Sequence, residues 1–551
     1  MTTTYKGMDR RSFLKGAALF GGAAAAMGMA SCAPSAAGEG GSSSSDGAGD
    51  NVTWDEEYDF VVVGGGNGAY AAILAAQAGY KTVLVEKGAS YGGTTAFSHN
   101  GMWVPNNWFM ADEVANWPQI VPDTDADIPE IVDYALSCDT SGAADRELVT
   151  DYVTNFAPAL KKFGEMLNIE FAMGLIDDYY GLPGAKFGRQ VNFAKDGEAT
   201  GPGTFSSIIE PLVKEHNVEV RTNTPATRLY RDSEGRVVGV QVEGASGTVN
   251  IKANKGVLLN TGGFDHNEKM VHDYLRGPIM ASNAVETNTG DGHRMAVDVG
   301  ADLGNMSSVW GVPFYITADD APLTGNIVDW MVWRYGDHSI IVNKHGKRFG
   351  DETASYTAAN LAYYQYSTQY FGLENVPAFH IGDQSFVNMY GYPTVTDAAA
   401  ELPEYIKQYD SLEELAADQG IDADALVAQV ERWNEMCDKG ADEDFGRPSS
   451  QWPKGPFFVH EDETCMGKIE QAPFFCVKIG PGTCGTNGGM RVNADAQVLD
   501  RDGEVIEGLY AAGNCSCAFF GNAYPGPGST VGSAVYRNIR AANHALDLGI
   551  I

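Results

Sequence analysis

The first strong hydrophobic signal along the chain is the run Tyr58-Asp59-Phe60-Val61-Val62-Val63. A short, nearly unbroken apolar run suits a strand buried on both faces of a parallel sheet. Gly64-Gly65-Gly66-Asn67-Gly68-Ala69 follows, and Tyr70 to Ala78 then carries an alanine-rich helical pattern that stops at Gly79. Thr82-Val83-Leu84-Val85 reads as a second strand, closed by Glu86. Strand, turn, helix, strand and acid stand in the order that a βαβ dinucleotide site requires.

The turn gives that pattern its chemistry. In the spacing Gly64-x-Gly66-x-x-Ala69, Gly64 permits a tight turn and Gly66 lets the backbone approach a pyrophosphate. Ala69 allows close packing of helix on strand, and Asn67 and Gly68 sit where the helix N-terminus turns its partial positive charge to the phosphates. Glu86 stands where a carboxylate takes ribose hydroxyls. This fingerprint alone does not separate NAD from FAD.

Composition sets the bounds. At 551 residues the chain predicts two or three domains, and 44% hydrophobic residues supply ordinary cores. The formal charge is −35, and without the first 32 residues, which hold four basic groups and one acidic group, it is −38. Such a surface repels phosphate backbones and anionic headgroups, which argues against nucleic-acid binding. The eight cysteines include no C-x-x-C pair and no C-x-x-C-H haem site. An iron–sulfur cluster would need four thiolates converging from scattered positions. No metal site is expected.

The first residues resemble a twin-arginine export signal: Arg10-Arg11-Ser12-Phe13-Leu14-Lys15, then a mild Gly/Ala stretch to Ser31 that is too short for a membrane helix. Met29-Ala30-Ser31-Cys32 resembles a lipoprotein cleavage box with Met in place of the usual first Leu. Residues 33–54 then read as a flexible linker rich in Ser, Gly and Ala. The expectation is an exported protein of the cell envelope, with Cys32 as a lipid-anchor site.

Several later segments act together. They are Tyr91-Gly92-Gly93-Thr94-Thr95, Gly256 to Phe264, Asn288-Thr289-Gly290-Asp291-Gly292 and Ile506 to Asn514. In order and over nearly the whole chain after residue 55, they resemble the FAD segments of the fumarate reductase/3-ketosteroid Δ1-dehydrogenase flavoprotein superfamily. The resemblance implies FAD as cofactor and an α/β fold, a Rossmann-like FAD-binding domain with an inserted α+β cap domain. The implied boundaries are 55–304 and 468–551 for the FAD domain and 305–467 for the cap. It adds Gly93, Thr94, Thr95, Gly262, Asp291, Gly513, Asn514, Ser529, Thr530 and Val531 to the cofactor-binding residues.

The branch follows from what is missing. Fumarate reductases hold a dicarboxylate with an Arg in the cap and a His and an Arg near the C-terminus, because unpaired buried carboxylates are prohibitive. Here Tyr356 stands at the cap position, and Phe519 to Thr530 contains neither His nor Arg. Tyr524-Pro525-Gly526-Pro527-Gly528 and Trp103-Val104-Pro105-Asn106-Asn107 instead resemble the ketosteroid dehydrogenase branch. That resemblance implies that Tyr524 and Gly528 bind a substrate ketone and that Tyr356 handles a proton. It also implies a third tyrosine, with Tyr179 or its neighbour Tyr180 as the counterpart. The chemistry agrees. A carbonyl turns the intermediate of hydride transfer at a C–C bond into an enolate. The Tyr524 hydroxyl and Gly528 N–H would form its oxyanion hole, with hydride carried by flavin N5. Tyr356 can serve in proton transfer if its pKa is brought below the free value of about 10. His99 reads as a core histidine, and His293 and Arg294 as structural residues.

The working expectation is a reductase of α,β-unsaturated ketones or lactones, steroid-like in shape, of the kind found in cardiac-glycoside reductases of gut bacteria. A membrane-linked electron donor or acceptor would serve it, and the membrane would be met only through the lipid anchor. Two alternatives stay open: a 3-ketosteroid Δ1-dehydrogenase working oxidatively, and a flavin electron-carrier lipoprotein without an organic substrate. Ser141-Gly142-Ala143-Ala144 lacks a hydroxyl acceptor at its end, so covalent FMN is not expected.

Overall fold

Strand β1 (Glu56–Val63) is buried from Phe60 to Val63, with Phe60 and Val62 in one core and Val61 and Val63 in another. Burial on both faces is why its sequence is continuous rather than alternating. Helix α1 (Gly68–Gln77) covers one face, and β2 (Thr82–Val85) pairs in parallel with β1. Beyond β2 lies β3 (Glu219–Arg221), and on the other side of β1 lie β4 (Gly247–Leu259) and β5 (Val505–Ala511), all parallel. The order β5-β4-β1-β2-β3 makes a Rossmann-like sheet, extended by the antiparallel strands Gln497–Leu499 at one edge and Val237–Gly244 and Ala226–Arg231 beside β4. The long C-terminal helix α2 (Ser529–Leu546) packs beside α1.

The computed structural model describes residues 52–551 except 202, 246, 327–336, 391–401 and 448–464. The export signal, Cys32 and the linker as far as residue 51 lie outside the described residues.

Helix α1 approaches β1 closely because position 68 is glycine: a Cβ there would lie 2.8 Å from the Val62 Cγ1. Ala69, the next residue, is fully buried in the same core as Phe60 and Val62 of β1. Gly64 has φ +105, and a Cβ there would fall 2.2 Å from the Asn260 carbonyl oxygen. The turn after β1 is therefore closed to any side chain.

A second sheet is built around Phe474–Thr486, which pairs with Val309–Tyr315, Ala378–Gly382 and Lys407–Tyr409 antiparallel and with Ala281–Ser282 parallel. Its strands therefore come from both sides of residues 305 and 467. The short helix Tyr356–Ala362 packs on Val309–Tyr315, capped by the Ser355 hydroxyl. A third, smaller sheet joins Gly101–Trp103, Gln190–Lys195 and Glu170–Gly174. The three sheets meet around two adjoining sites.

Candidate active site

The parallel strands end level with one another: Val63 pairs with Leu259 and Val85, and Leu259 with Ala511. Loops leaving the carboxyl ends of such strands make a crevice. Here they form an open cleft, lined from the first turn by Gly64, Gly66 and Asn67, after β2 by Glu86 and Lys87, after β4 by Asn260 and Gly262, and after β5 by Asn514. Gly93, Thr94, Thr95 and Asp291 complete the expected residues that line it. The others lie elsewhere. Gly68 and Ala69 pack α1, Gly513 turns the chain at φ +67 with its Cβ side against Asn260, and Ser529, Thr530 and Val531 form the first turn of α2.

The cleft suits a dinucleotide. The Glu86 carboxylate accepts the Gly65 N–H at 2.8 Å and the Gly88 N–H at 2.7 Å, one on each oxygen. Each oxygen keeps a lone pair for a ribose hydroxyl. The Asn67 Oδ1 is buried with no hydrogen-bond partner among the described residues, at the start of α1 where phosphates would meet the helix. Sequence reasoning missed Lys87, which bonds Asp291 at 2.5 Å and the Thr289 hydroxyl at 2.7 Å. It also passed over Asn260, Asn288 and Thr224 in the lining. Asn260 and Asn288 stood inside quoted motifs, whereas nothing marked Lys87 or Thr224 in advance.

The second site is aromatic. Tyr179, Tyr356 and Tyr524 form a mutual cluster, with ring centroids 5.2 Å apart for Tyr179 and Tyr356, 5.4 Å for Tyr356 and Tyr524 and 5.8 Å for Tyr179 and Tyr524. Tyr179 lies in the loop after strand Glu170–Gly174, Tyr356 opens the short helix Tyr356–Ala362, and Tyr524 lies just before α2. Trp310 packs edge-on against Tyr524 at 5.3 Å, and its indole N–H donates to Asn514 Oδ1 at 2.9 Å. Asn514 lines the cleft, so one indole joins the two sites.

Hydrogen bonds hold the cluster in place. The Pro525 carbonyl accepts the Tyr179 N–H at 3.0 Å and the Tyr134 hydroxyl at 2.6 Å. The Tyr134 oxygen in turn accepts the Tyr180 N–H at 3.3 Å. Beneath, Asp178 accepts the Trp103 indole N–H at 2.7 Å and pairs with the buried Arg189 at 2.5 Å. Gly528 has φ +87, and a Cβ there would lie 2.2 Å from the Gly101 carbonyl oxygen. It caps α2, and none of the hydrogen bonds that close the turn among Gly526, Ser529 and Gly532 uses its N–H. Gly528 is thus a required turn residue that also presents a donor.

Electrostatics correct one expectation. Burial pushes the Tyr356 hydroxyl well above its ordinary value, and the Tyr179 and Tyr524 hydroxyls add to the rise. Burial also raises Tyr524, against an opposing hydrogen bond from the Thr530 side chain. The pKa of Tyr356 is not lowered. Desolvation disfavours a phenolate, and no cation is among the ring partners described for these tyrosines. Arg189 is engaged by Asp178 and Asp123. The cluster is a set of three buried tyrosines, and the hydroxyls of Tyr356 and Tyr524 are held toward their neutral form by that burial.

Other readings also find their places. His99 is exposed rather than in the core. His293 is buried, neutral at ordinary pH because burial lowers it, and its Nε2 bonds the Gly488 carbonyl at 2.9 Å. The seven described cysteines are free thiols. Among the described residues no group of three or more His, Cys, Asp or Glu is placed to hold a metal ion, and no helix is long and apolar enough to cross a membrane.

Comparison with known proteins agrees with this geometry. The 3-oxosteroid 1-dehydrogenase of Mycolicibacterium smegmatis is 32% identical over 554 residues, covering 87% of this chain and 95% of that protein. The digoxin reductase of Eggerthella lenta is 27% identical over 577 residues, covering 94% of this chain and 93% of that protein. The crystal structure of 3-ketosteroid Δ1-dehydrogenase from Sterolibacterium denitrificans in complex with 1,4-androstadiene-3,17-dione superposes with a TM-score of 0.76 at 26% identity, covering 89% of this chain and 99% of that one. The FAD binding domain family matches residues 59–531. With the cleft, the acid and the helix N-terminus in place for the cofactor, the chain belongs to the FAD binding domain family and is an FAD-dependent oxidoreductase.

Proposed function

We propose that the protein moves hydride at a C–C bond beside a ring ketone or lactone carbonyl, and that its working direction is reduction of the C=C bond. The mutual contact of Tyr179, Tyr356 and Tyr524, all uncharged, carries this reading. When bound, reduced FAD supplies the hydride to the carbon β to the carbonyl. The protein's own groups do the rest. The Tyr524 hydroxyl and Gly528 N–H hold the carbonyl oxygen as negative charge develops there. The Tyr356 hydroxyl gives its proton to the α carbon, and Tyr179 beside it supports the hydroxyl pair. Hydride on one carbon and proton on the next saturate the bond.

Burial raises the Tyr356 hydroxyl, which shifts the balance further toward the protonated form that reduction uses and away from the phenolate that oxidation uses. The similarity to digoxin reductase of Eggerthella lenta points the same way. Oxidation of a 3-ketosteroid is the second reading, favoured by the 32% identity to a 3-oxosteroid 1-dehydrogenase. The reading extends to the rest of the chain: export by the signal in residues 1–32, a lipid at Cys32, the linker 33–54 and a membrane-linked electron partner. It places the cap at 305–467 between FAD-domain segments 55–304 and 468–551.

The test is anaerobic. FAD-loaded protein is reduced chemically and mixed with 3-keto Δ1 and Δ4 steroids, an unsaturated lactone and fumarate. Fast reoxidation by an enone or lactone, slowed in Tyr524→Phe, supports reduction. Reoxidation by fumarate sinks the argument from the missing cations. Silence to the whole panel, with dye reduction driven by a saturated 3-ketosteroid, supports the oxidative reading.

A further inference from the structure

Arg537 stands in the middle of helix α2, only 6% exposed. Every other deeply buried arginine with a described ion pair meets carboxylates: Arg189 meets Asp123 and Asp178, Arg348 meets Glu352 and Asp442, and Arg447 meets Glu352. Arg537 meets none. Its Nη1 donates to the Ser516 hydroxyl at 2.7 Å, its guanidinium lies 4.8 Å over the Phe519 ring, and its Nη2 is buried without a hydrogen-bond partner among the described residues. The acidic groups acting on it are first the Cys517 and Cys515 thiols, which burial raises toward their neutral form, and then Asp145, which is exposed and spends its carboxylate capping another helix. A buried cation without a counter-charge is costly to keep. A protein retains one where the charge acts on something.

The surroundings say on what. Ser516, which receives the Arg537 proton donor, passes its own hydroxyl proton to the Gly513 carbonyl at 2.7 Å. Gly513 precedes Asn514 in the loop that leaves β5, and Asn514 lines the cofactor cleft. The next residue on the helix, Asn538, accepts the side-chain N–H of Asn260 at 2.9 Å, and Asn260 also lines the cleft. Residues 537 and 538 thus touch the floor of the cleft from behind at two loops. The aromatic cluster offers the cofactor no charge, and Lys87 at the cleft wall is already paired with Asp291.

We propose that the Arg537 charge, carried forward through Ser516, raises the reduction potential of the bound flavin by favouring its more negative reduced form. Two-electron reduction adds negative charge to the flavin. A buried positive charge one hydrogen-bonded residue behind the floor stabilises that state more than the oxidised one, with little screening in between. The proposal rests on FAD binding and not on the substrate assigned above.

The test is an equilibrium redox titration of the FAD-loaded protein against dyes of known potential, with no substrate present. Arg537→Met keeps the length and removes the charge, Arg537→Lys keeps the charge, and Ser516→Ala cuts the relay while leaving Arg537. Arg537→Met should lower the reduced-to-oxidised ratio at a fixed potential at least tenfold, which is about 30 mV for a two-electron couple. Arg537→Lys should recover most of that, and Ser516→Ala should shift the same way by less. A Met variant that holds FAD with the wild-type potential overturns the proposal. Should the Met variant fail to hold FAD, an unchanged potential in Ser516→Ala overturns it instead. A lowered potential with unchanged substrate preference confirms it even where the substrate reading fails.

Discussion

Replacing Tyr356 by Phe separates chemistry from structure. The ring contacts at 5.2 Å to Tyr179 and 5.4 Å to Tyr524 are kept by phenylalanine, so packing changes little. The hydroxyl takes no part in lining the cofactor cleft, so FAD binding is unaffected. Losing one buried hydroxyl costs about 1 kcal/mol of stability. Losing the proton donor costs about 100-fold to 10,000-fold in rate, and 100-fold alone is about 2.7 kcal/mol of barrier. The kinetic loss therefore exceeds the structural one. The assay is stopped-flow reoxidation of the reduced protein by an enone, with the flavin spectrum confirming loading and a thermal melt confirming the fold. A fall of at least 100-fold with both controls near wild type is expected. A variant within threefold of wild type would refute the assignment, and the proton would then have to come from Tyr179 or solvent.

The pH profile follows from the raised pKa of Tyr356. Reduction needs the protonated hydroxyl, so kcat/KM should be flat from pH 6 to 9, whereas oxidation of a saturated ketone needs the base and should climb close to tenfold per unit. Steady-state assays in both directions check the two slopes, and a bell with a limb near neutrality contradicts them. Gly528→Ala forces a left-handed φ on alanine with its Cβ 2.2 Å from the Gly101 oxygen. It should cost roughly 2–4 kcal/mol of stability and about 100-fold or more in turnover as the N–H leaves its place, read by thermal melt and reoxidation. Glu86→Gln puts an amide donor against the Gly65 or Gly88 N–H that the carboxylate now accepts. At about 1–3 kcal/mol for a mispaired buried group, FAD should bind about tenfold more weakly or worse, measured by fluorescence on release.

What could be read in advance was what leaves a local pattern. The β1–α1–β2 unit announced itself because a strand covered on both faces must be apolar at every position, and because Gly64 admits no other residue in its turn. The tyrosine cluster was found through motifs, since Tyr179, Tyr356 and Tyr524 are far apart in sequence. Choosing between Tyr179 and Tyr180 was beyond any pattern. Both are buried, and only the path of the backbone turns the Tyr179 ring onto Tyr524 while Tyr180 bonds Ser355 and the Tyr524 backbone. Lys87 was invisible because its worth lies in Asp291, more than 200 residues away. Arg537 was invisible for the opposite reason, since an arginine on a helix reads as surface until its burial and lack of a carboxylate are seen.

The overturned expectation about Tyr356 clarifies the site. A lowered pKa needs a nearby cation, solvent or hydrogen-bond donors to the phenolate oxygen, and at Tyr356 burial outweighs them. Burial lifts Tyr356 and Tyr524 above their ordinary values, and the same burial would keep water from a carbonyl oxygen held between them. In that dry setting each hydrogen bond to a developing enolate is worth more than it would be in water. The same dryness refuses a carboxylate, which would arrive with no cation to meet it. On the proposed reading, one physical property, burial among packed aromatic rings, favours the protonated acid, would strengthen the oxyanion hole and would disfavour a dicarboxylate. Positive charge is instead kept behind the cofactor floor, where it acts on the flavin without touching the substrate.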